Sequence, residues 1–326
     1  MICFLLNEDT VLDWTNGLDS AGIRESEAMI AGEIIPRASA MVNSGGKDKR
    51  GICLTIAGLA VAALVAVACI ATPEPLVLPQ PPSRLADMAF VPAGTFLMGS
   101  EEGEEDETPM RAVYLAAFYI DRYEVSNAEY VEFLNVIGGH VRRCGGHDCA
   151  DTRDEDPDSH IIYNHEARRY EAEAGYANHP VIKVSWYGAK AYCEHYGQRL
   201  PTEAEWEKAA RGSDGRIYPW GDEFDARRAN VDDQVGDTVP GGSYPAGVSP
   251  YGVHDMAGNV WEWVEDWYEA YPGSRGHSPF FGQKYKVVRG GSWNHPPRDA
   301  RCTSRHIAHP ARRIGVVGFR CVRPLE

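Results

Sequence analysis

Between Gly252 and Trp263 the chain reads Gly-Val-His-Asp-Met-Ala-Gly-Asn-Val-Trp-Glu-Trp. Two carboxylates, Asp255 and Glu262, flank Gly258 and Asn259, residues that let a backbone bend sharply. Side-chain and carbonyl oxygens arranged around such a bend suit a hard cation, and calcium is the expected ion. Trp261 and Trp263 alternate about Glu262, as on a strand or an extended turn, which would aim the carboxylate away from two large apolar groups. On spacing alone, a surface acid set between two core tryptophans fits equally well. Further on, His295, Asp299, His306 and His309 lie close in sequence; they could offer imidazole and carboxylate ligands to iron or zinc, or be ordinary loop side chains. Cys144 and Cys149 enclose Gly-Gly-His-Asp, which reads as a small disulfide loop, a metal site through His147 being the alternative.

These groups need a frame. Phe90 to Met98, turning around Pro92-Ala-Gly94, reads as strand, turn, strand, and Val113 to Ile120 as a further strand. Ser126 with Glu129 forms a capping box that opens a helix to Ile137. Residues 138 to 178 form a long polar insertion rich in Asp, His and Gly. Ser185 caps a second helix ending at Gly197, and Thr202 with Glu205 boxes a third ending at Gly212. These helices carry Trp186, Tyr192, Cys193 and Trp206 toward a common interior. Beyond Gly212 the glycines, prolines and aromatics up to Cys321 predict loops and short strands. The order of elements gives an α+β domain with irregular loops and little regular secondary structure, beginning at Met88 and running to Glu326.

What precedes that domain reads differently. Residues 1 to 40 show neither sustained periodicity nor a signal-peptide pattern; residues 1 to 50 are expected to be a cytoplasmic or untranslated segment, with either Met1 or Met41 as the start. Lys47, Lys49 and Arg50 precede an uncharged run from Ile52 to Ala71, long enough to cross a bilayer as a helix with its basic flank in the cytoplasm. An uncleaved anchor over 51 to 71 is expected; a lipoprotein signal ending at Cys69 is the alternative. Residues 72 to 87 carry Pro73, Pro75, Pro79, Pro81 and Pro82 and predict a stiff spacer between membrane and domain. The domain would then face the periplasm or the cell exterior.

Composition agrees with export. An apolar share of 44% is ample for a core, and 33 glycines with 21 prolines indicate a turn-rich architecture. A formal charge of -15 argues against nucleic acid or anionic lipid as a partner. The acidic cluster Glu101 to Glu107 reads as a solvated loop.

Several motifs run collinearly through the domain: Phe90-Val-Pro-Ala-Gly-Thr-Phe-Leu-Met-Gly-Ser100, Phe118-Tyr-Ile-Asp-Arg-Tyr-Glu-Val-Ser126, His179-Pro-Val-Ile-Lys-Val-Ser-Trp186, Arg199-Leu-Pro-Thr-Glu-Ala-Glu-Trp206, Tyr218-Pro-Trp-Gly-Asp222, Arg289-Gly-Gly-Ser-Trp293 and Gly318-Phe-Arg-Cys321. With the 252 to 263 stretch they resemble the formylglycine-generating enzymes, or sulfatase-modifying factors, whose fold is related to C-type lectins. The resemblance implies calcium ligation by Asp255, Gly258, Val260 and Glu262, the glycine and valine through carbonyl oxygens. A second family calcium site would begin at Asn230-Val231, but its Asp-Gly-Phe half is not recognisable. The resemblance also implies a Cys193 to Cys321 disulfide, and it places Ser292, Trp261 and Arg305 in or beyond the oxygen pocket. Cys302 matches a family position whose usual partner falls here on Ala210, so it is expected to be a lone thiol.

The family's oxidases carry two cysteines shortly after the Gly-Gly-Ser, whose thiolates hold the soft cuprous ion. This chain reads Trp293-Asn-His-Pro-Pro-Arg-Asp-Ala-Arg-Cys302, and neither cysteine is present. Copper is therefore not expected, and Asn294 and His295 stand in that region. The expected function is a membrane-anchored domain that keeps a calcium site and a cleft for a protein or peptide ligand without copper-dependent oxidation of cysteine to formylglycine. Two alternatives remain. One is a family oxidoreductase, sulfatase-activating or acting in secondary metabolism, that uses other ligands. The other is a lectin-like module for cell-surface glycans, with Trp220, Trp267 and Tyr271 as candidate contact aromatics.

Overall fold

The computed structural model describes residues 87–325. The described residues belong to one compact unit. The membrane run, the lipoprotein alternative and the proline spacer up to Ala86 lie outside the described residues. Among the described residues no helix is long and apolar enough to cross a membrane.

The first strands, β1 (Met88–Val91) and β2 (Gly94–Met98), are joined by a tight turn but enter different sheets. β2 pairs antiparallel with β3 (Arg111–Leu115), while β1 pairs antiparallel with β4 (Phe118–Asp121). The stretch read as a single strand from Val113 is thus two strands. Ala116 and Ala117 carry the chain from one sheet to the other.

Next comes α1 (Asn127–Ile137), closed at its N-terminus by reciprocal bonds: Ser126 Oγ accepts from the Glu129 N–H, and Glu129 Oε2 accepts from the Ser126 N–H at 2.8 Å. Gly138 ends it at φ +74°. The insertion that follows contains an antiparallel hairpin, β5 (Ile161–Asn164) with β6 (Arg169–Ala172). Asn135 on α1 holds this hairpin from the side, donating to Tyr170 O at 2.9 Å and accepting from the Tyr170 N–H at 2.7 Å.

Ser185 caps α2 (Trp186–His195), and Thr202 with Glu205 boxes α3 (Glu203–Arg211). Gly188 on α2 lies so close to the neighbouring loop that a Cβ there would sit 2.1 Å from Cys149 O. Only glycine permits that packing.

The second half is carried by the sheet β10-β7-β8-β9, formed by β7 (Trp261–Trp267), β8 (Lys286–Arg289), β9 (Arg305–Ala308) and β10 (Val317–Gly318). β10 runs parallel to β7 and the other pairs are antiparallel. The last strand, β11 (Val322–Pro324), returns to pair with β4, giving the sheet β1-β4-β11.

Among the described residues, two large buried clusters fill most of the interior. One joins Tyr130 and Phe133 of α1 to Tyr192, Phe319, Trp261 and Trp263. The other packs Trp206 and Ala209 of α3 against Met256, Val264, Val287 and Cys302. Trp186 Nε1 donates to Val264 O at 2.8 Å and Trp263 Nε1 to Val184 O at 3.0 Å, so these rings anchor β7 to the segment around α2. Of the candidate contact aromatics, Tyr271 is buried and Trp267 lies under the Lys286 ammonium, 3.8 Å from its ring centre. Trp220 is half-buried and stacks on Tyr218. Tyr271 is therefore closed to a surface ligand.

Candidate functional site

β8 delivers Arg289 into the core, and Gly290 and Gly291, at φ +103° and +76°, turn the chain so that Ser292 follows directly. Ser292 Oγ lies 2.6 Å from His295 Nδ1 and 2.8 Å from Asn294 Oδ1, and His295 Nδ1 lies 2.8 Å from the same amide oxygen. Asn294 Oδ1 can only accept, so the tautomer that fits carries its proton on Nδ1 and leaves a lone pair on Nε2. The hydroxyl is fully buried.

Trp261, from the start of β7, stands edge-on to His295 with ring centres 5.5 Å apart and lies 5.3 Å from the His306 ring. The two imidazoles are 6.5 Å apart. Burial lowers the pKa of His295 and, with the nearby His295, pushes His306 down to about 4. Both rings are therefore neutral near pH 7. The indole N–H groups of Trp261 and Trp293 are buried without a hydrogen-bond acceptor among the described residues.

Arg305 does not join this group. Alternation along β9 sends its side chain away from that of His306, and its guanidinium grips Glu203 through Nε to Oε1 at 2.7 Å and Nη2 to Oε2 at 3.0 Å. His309 also departs: the charges that bear on it are Lys284, Arg312 and His147. The imidazole and carboxylate set imagined from His295 to His309 is accordingly split, and among the described residues no group of three or more His, Cys, Asp or Glu is arranged to hold a metal ion.

The 252 to 262 loop folds against Glu124 and Arg320. Asp255, Gly258 and Asn259 all take positive φ, at +57°, +83° and +63°. Gly258 tolerates no side chain, since a Cβ would lie 2.3 Å from Asn230 O. Asp255 Oδ2 accepts from the Gly242 N–H at 2.6 Å. Asn259 ties the loop together, donating to Glu124 Oε2 at 2.7 Å and accepting from the Val239 N–H at 2.9 Å. Val260 is buried just ahead of β7.

Glu262 points away from the two tryptophans beside it in sequence and meets a third. Its Oε2 accepts from Trp206 Nε1 at 2.9 Å and from Arg320 Nε at 2.7 Å, and its Oε1 from Arg320 Nη2 at 2.7 Å. Neither oxygen is without a donor. Burial, reinforced by the charges of Asp255 and Glu262, pushes the Glu124 carboxyl well up, and burial also raises Asp255. Two buried oxygens on residues bonded to Asn259, Glu124 Oε1 and Asn230 Oδ1, have no donor among the described residues.

Among the described residues, the cysteines are four in two disulfides and one thiol. Cys144 bonds to Cys149, and Cys193 on α2 bonds to Cys321 beside β11. His147, inside the short loop, lies flat on Tyr187 with ring centres 3.7 Å apart. Cys302 is buried, and burial pushes its thiol up to about 12.

Residues 73–325 match the family described as sulfatase-modifying factor enzyme 1-like domain. The chain belongs to that family. Its α+β architecture, with short strands and few helices, is the family's irregular fold. It is 31% identical over 301 residues to the formylglycine-generating enzyme of Mus musculus, covering 74% of this chain and 76% of that one. It is 39% identical over 259 residues to the serine/threonine-protein kinase pkn1 of Chlamydia caviae, covering 77% of this chain and 40% of that one. The chain thus spans less than half the length of that relative. Among solved structures, PvdO from Pseudomonas aeruginosa superposes with a TM-score of 0.57 at 31% identity, over 73% of this chain and 94% of that one.

Two participants escaped the sequence reading. Arg320 lay in plain view within Gly-Phe-Arg-Cys, and Glu124 within Tyr-Glu-Val-Ser, but nothing local says that they meet the 252 to 262 loop. The one available signal was their place beside motifs that this family shares.

Proposed function

We propose that this chain is a membrane-tethered, outward-facing member of the sulfatase-modifying factor family that binds a peptide or protein ligand beside Ser292 and does not carry out copper-dependent oxidation of cysteine. One observation carries the reading. Where a cuprous ion would need paired thiolates, the chain presents Ser292, Asn294 and His295 hydrogen-bonded to one another, and the thiol of Cys302 is buried with its proton held tightly. The acceptor-free indole N–H groups of Trp261 and Trp293 support a retained site for a ligand carrying hydrogen-bond acceptors. The apolar run from Ile52 to Ala71 and its proline spacer support the tether.

Calcium belongs to the same reading, as a structural ion. The donor set suits it: Asp255 and Glu262 supply carboxylates, Gly258 and Val260 supply backbone carbonyls, and Glu124, bonded to Asn259 of the same loop, keeps one oxygen without a donor among the described residues. A bound cation would supply positive charge to a pocket rich in buried carboxylates and fix the loop that leads into Trp261.

Incubating the purified chain with copper, oxygen and a Cys-X-Pro-X-Arg peptide tests the reading, with aldehyde formation followed by mass spectrometry. No aldehyde is expected, and turnover would overturn it. A second reading, an oxidoreductase using other ligands, is favoured by the two neutral imidazoles of His295 and His306, which both pack against Trp261 with ring centres 6.5 Å apart. Metal analysis of protein purified without chelator separates the two. A redox-active metal that disappears in His295→Ala supports the second reading, and calcium alone removes it.

A further inference from the structure

We propose that the cleft between the end of α1 and the β5–β6 hairpin binds a neutral saccharide. The site is separate from Ser292 and does not depend on what binds there. The collinear motifs stop at Ser126 and resume at His179, so every residue lining this cleft lies between them, on α1 or in the insertion.

The cleft has a volume of about 450 Å³, within the range of small-ligand sites. Its inner wall is fixed. Tyr170 Oη lies 2.8 Å from His140 Nδ1, and His140 Nε2 lies 3.1 Å from Glu155 Oε1. A carboxylate only accepts, so Nε2 carries a proton and Nδ1 accepts from the Tyr170 O–H. Glu155 is held in turn by the Thr152 N–H, which donates to Oε2 at 2.8 Å. The Cys149 N–H donates to His140 O at 2.8 Å, beside the Cys144 to Cys149 bridge, and Asn135 grips Tyr170 through both of its backbone groups. A wall tied in this way loses little freedom when a ligand arrives.

The groups that remain open set the ligand. Arg168 stands in the hairpin turn at φ +53°, exposed and without an ion pair among the described residues. Asp154 lies at the rim, its side chain 70% exposed, with Oδ2 3.7 Å from His165 Nε2. Tyr163, half-buried, adds aromatic surface, its ring centre 5.0 Å from that of Tyr170. An anion would meet the carboxylates of Asp154 and Glu155, and an ammonium group would meet Arg168. A purely apolar ligand would strip water from all three without replacing its hydrogen bonds. A pyranose avoids each penalty. Its hydroxyls donate to a carboxylate and accept from a guanidinium, while its C–H face packs on an aromatic ring. Tyr170 Oη, already donating to His140, keeps acceptor lone pairs for one more hydroxyl.

The test titrates the full chain with chitotriose, maltotriose, xylotriose and mannotriose, followed by saturation-transfer NMR and calorimetry, with the tripeptide Gly-Lys-Gly as a cationic comparison. At least one trisaccharide is expected to bind at millimolar concentration or below, and the tripeptide is not. Arg168→Gly removes the guanidinium at a turn whose positive φ suits glycine, so the fold is kept. Tyr163→Ala removes the ring and Tyr163→Phe retains it. Arg168→Gly and Tyr163→Ala are each expected to weaken binding by about tenfold, with Tyr163→Phe close to the wild type. Silence of all four trisaccharides overturns the proposal, and so does saccharide binding that neither Arg168→Gly nor Tyr163→Ala weakens. Binding of the tripeptide in place of the sugars also overturns it, in favour of a basic peptide.

Discussion

Arg320 holds Glu262 by two parallel prongs, Nε to Oε2 and Nη2 to Oε1, each at 2.7 Å, with both side chains fully withdrawn from solvent. Breaking one half strands the other. Arg320→Ala is expected to destabilise the domain by about 3–5 kcal/mol, because the carboxylate would stay buried without its partner. Chemical denaturation measures this, and a loss well under 1 kcal/mol would show the pair to be dispensable.

The two disulfides should differ in weight. Cys193 and Cys321 are 128 residues apart, Cys144 and Cys149 only five. On the chain-entropy account the long loop contributes about 5 kcal/mol and the short one about 2 kcal/mol. Calorimetry of Cys193→Ser and Cys144→Ser should therefore show the larger fall in melting temperature for the first.

Cys302 should be inert in the native state. Burial pushes its thiol up to about 12, so almost no thiolate exists at pH 8. Peptide mapping after iodoacetamide treatment should find Cys302 unmodified in native protein and modified after denaturation. Rapid native labelling at that position would contradict the packing of Cys302 against Trp206 and Val287.

Asp266 gives a pH signature. Burial, then the charge of Glu203, pushes its carboxyl from 3.8 up to about 6, while Oδ2 accepts from the Glu203 N–H at 2.7 Å. The folded state thus binds the proton more tightly than the unfolded chain. Its contribution to stability is greatest below 3.8, declines as pH rises toward 6 and is constant beyond. Asp266→Asn keeps an acceptor and should be nearly neutral at pH 4 but more stable than the wild type by up to about 3 kcal/mol at pH 7. Urea midpoints at the two pH values check it. His306, pushed down to about 4, acts in the reverse sense by losing stability on acidification, and comparison of variant with wild type cancels it.

Local signals survived well in this chain. Ser126 with Glu129 and Thr202 with Glu205 lie three residues apart, and a helix start needs nothing more distant. The residues that partner the site were hidden for the opposite reason. Arg305 meets Glu203 across 102 positions and Arg320 meets Glu262 across 58, so neither partner could be read from spacing. The strand break at Ala116-Ala117 was invisible because apolar alternation continues through it while the pairing partner changes. The hairpin β5–β6 was hidden in a polar stretch because its register is held from outside, by Asn135 on α1.

The sheet β1-β4-β11 joins the first strand of the described domain to the last through a shared neighbour. A ribosome making this protein would release β4 long before Val322 exists to cover its second edge. Until then Cys193 also lacks its mate, and Glu262 its arginine. Cutting the polypeptide ahead of Phe319 would therefore remove an edge strand, a covalent cross-link and a buried charge partner in a single stroke, which makes the final few residues the latch of the whole body.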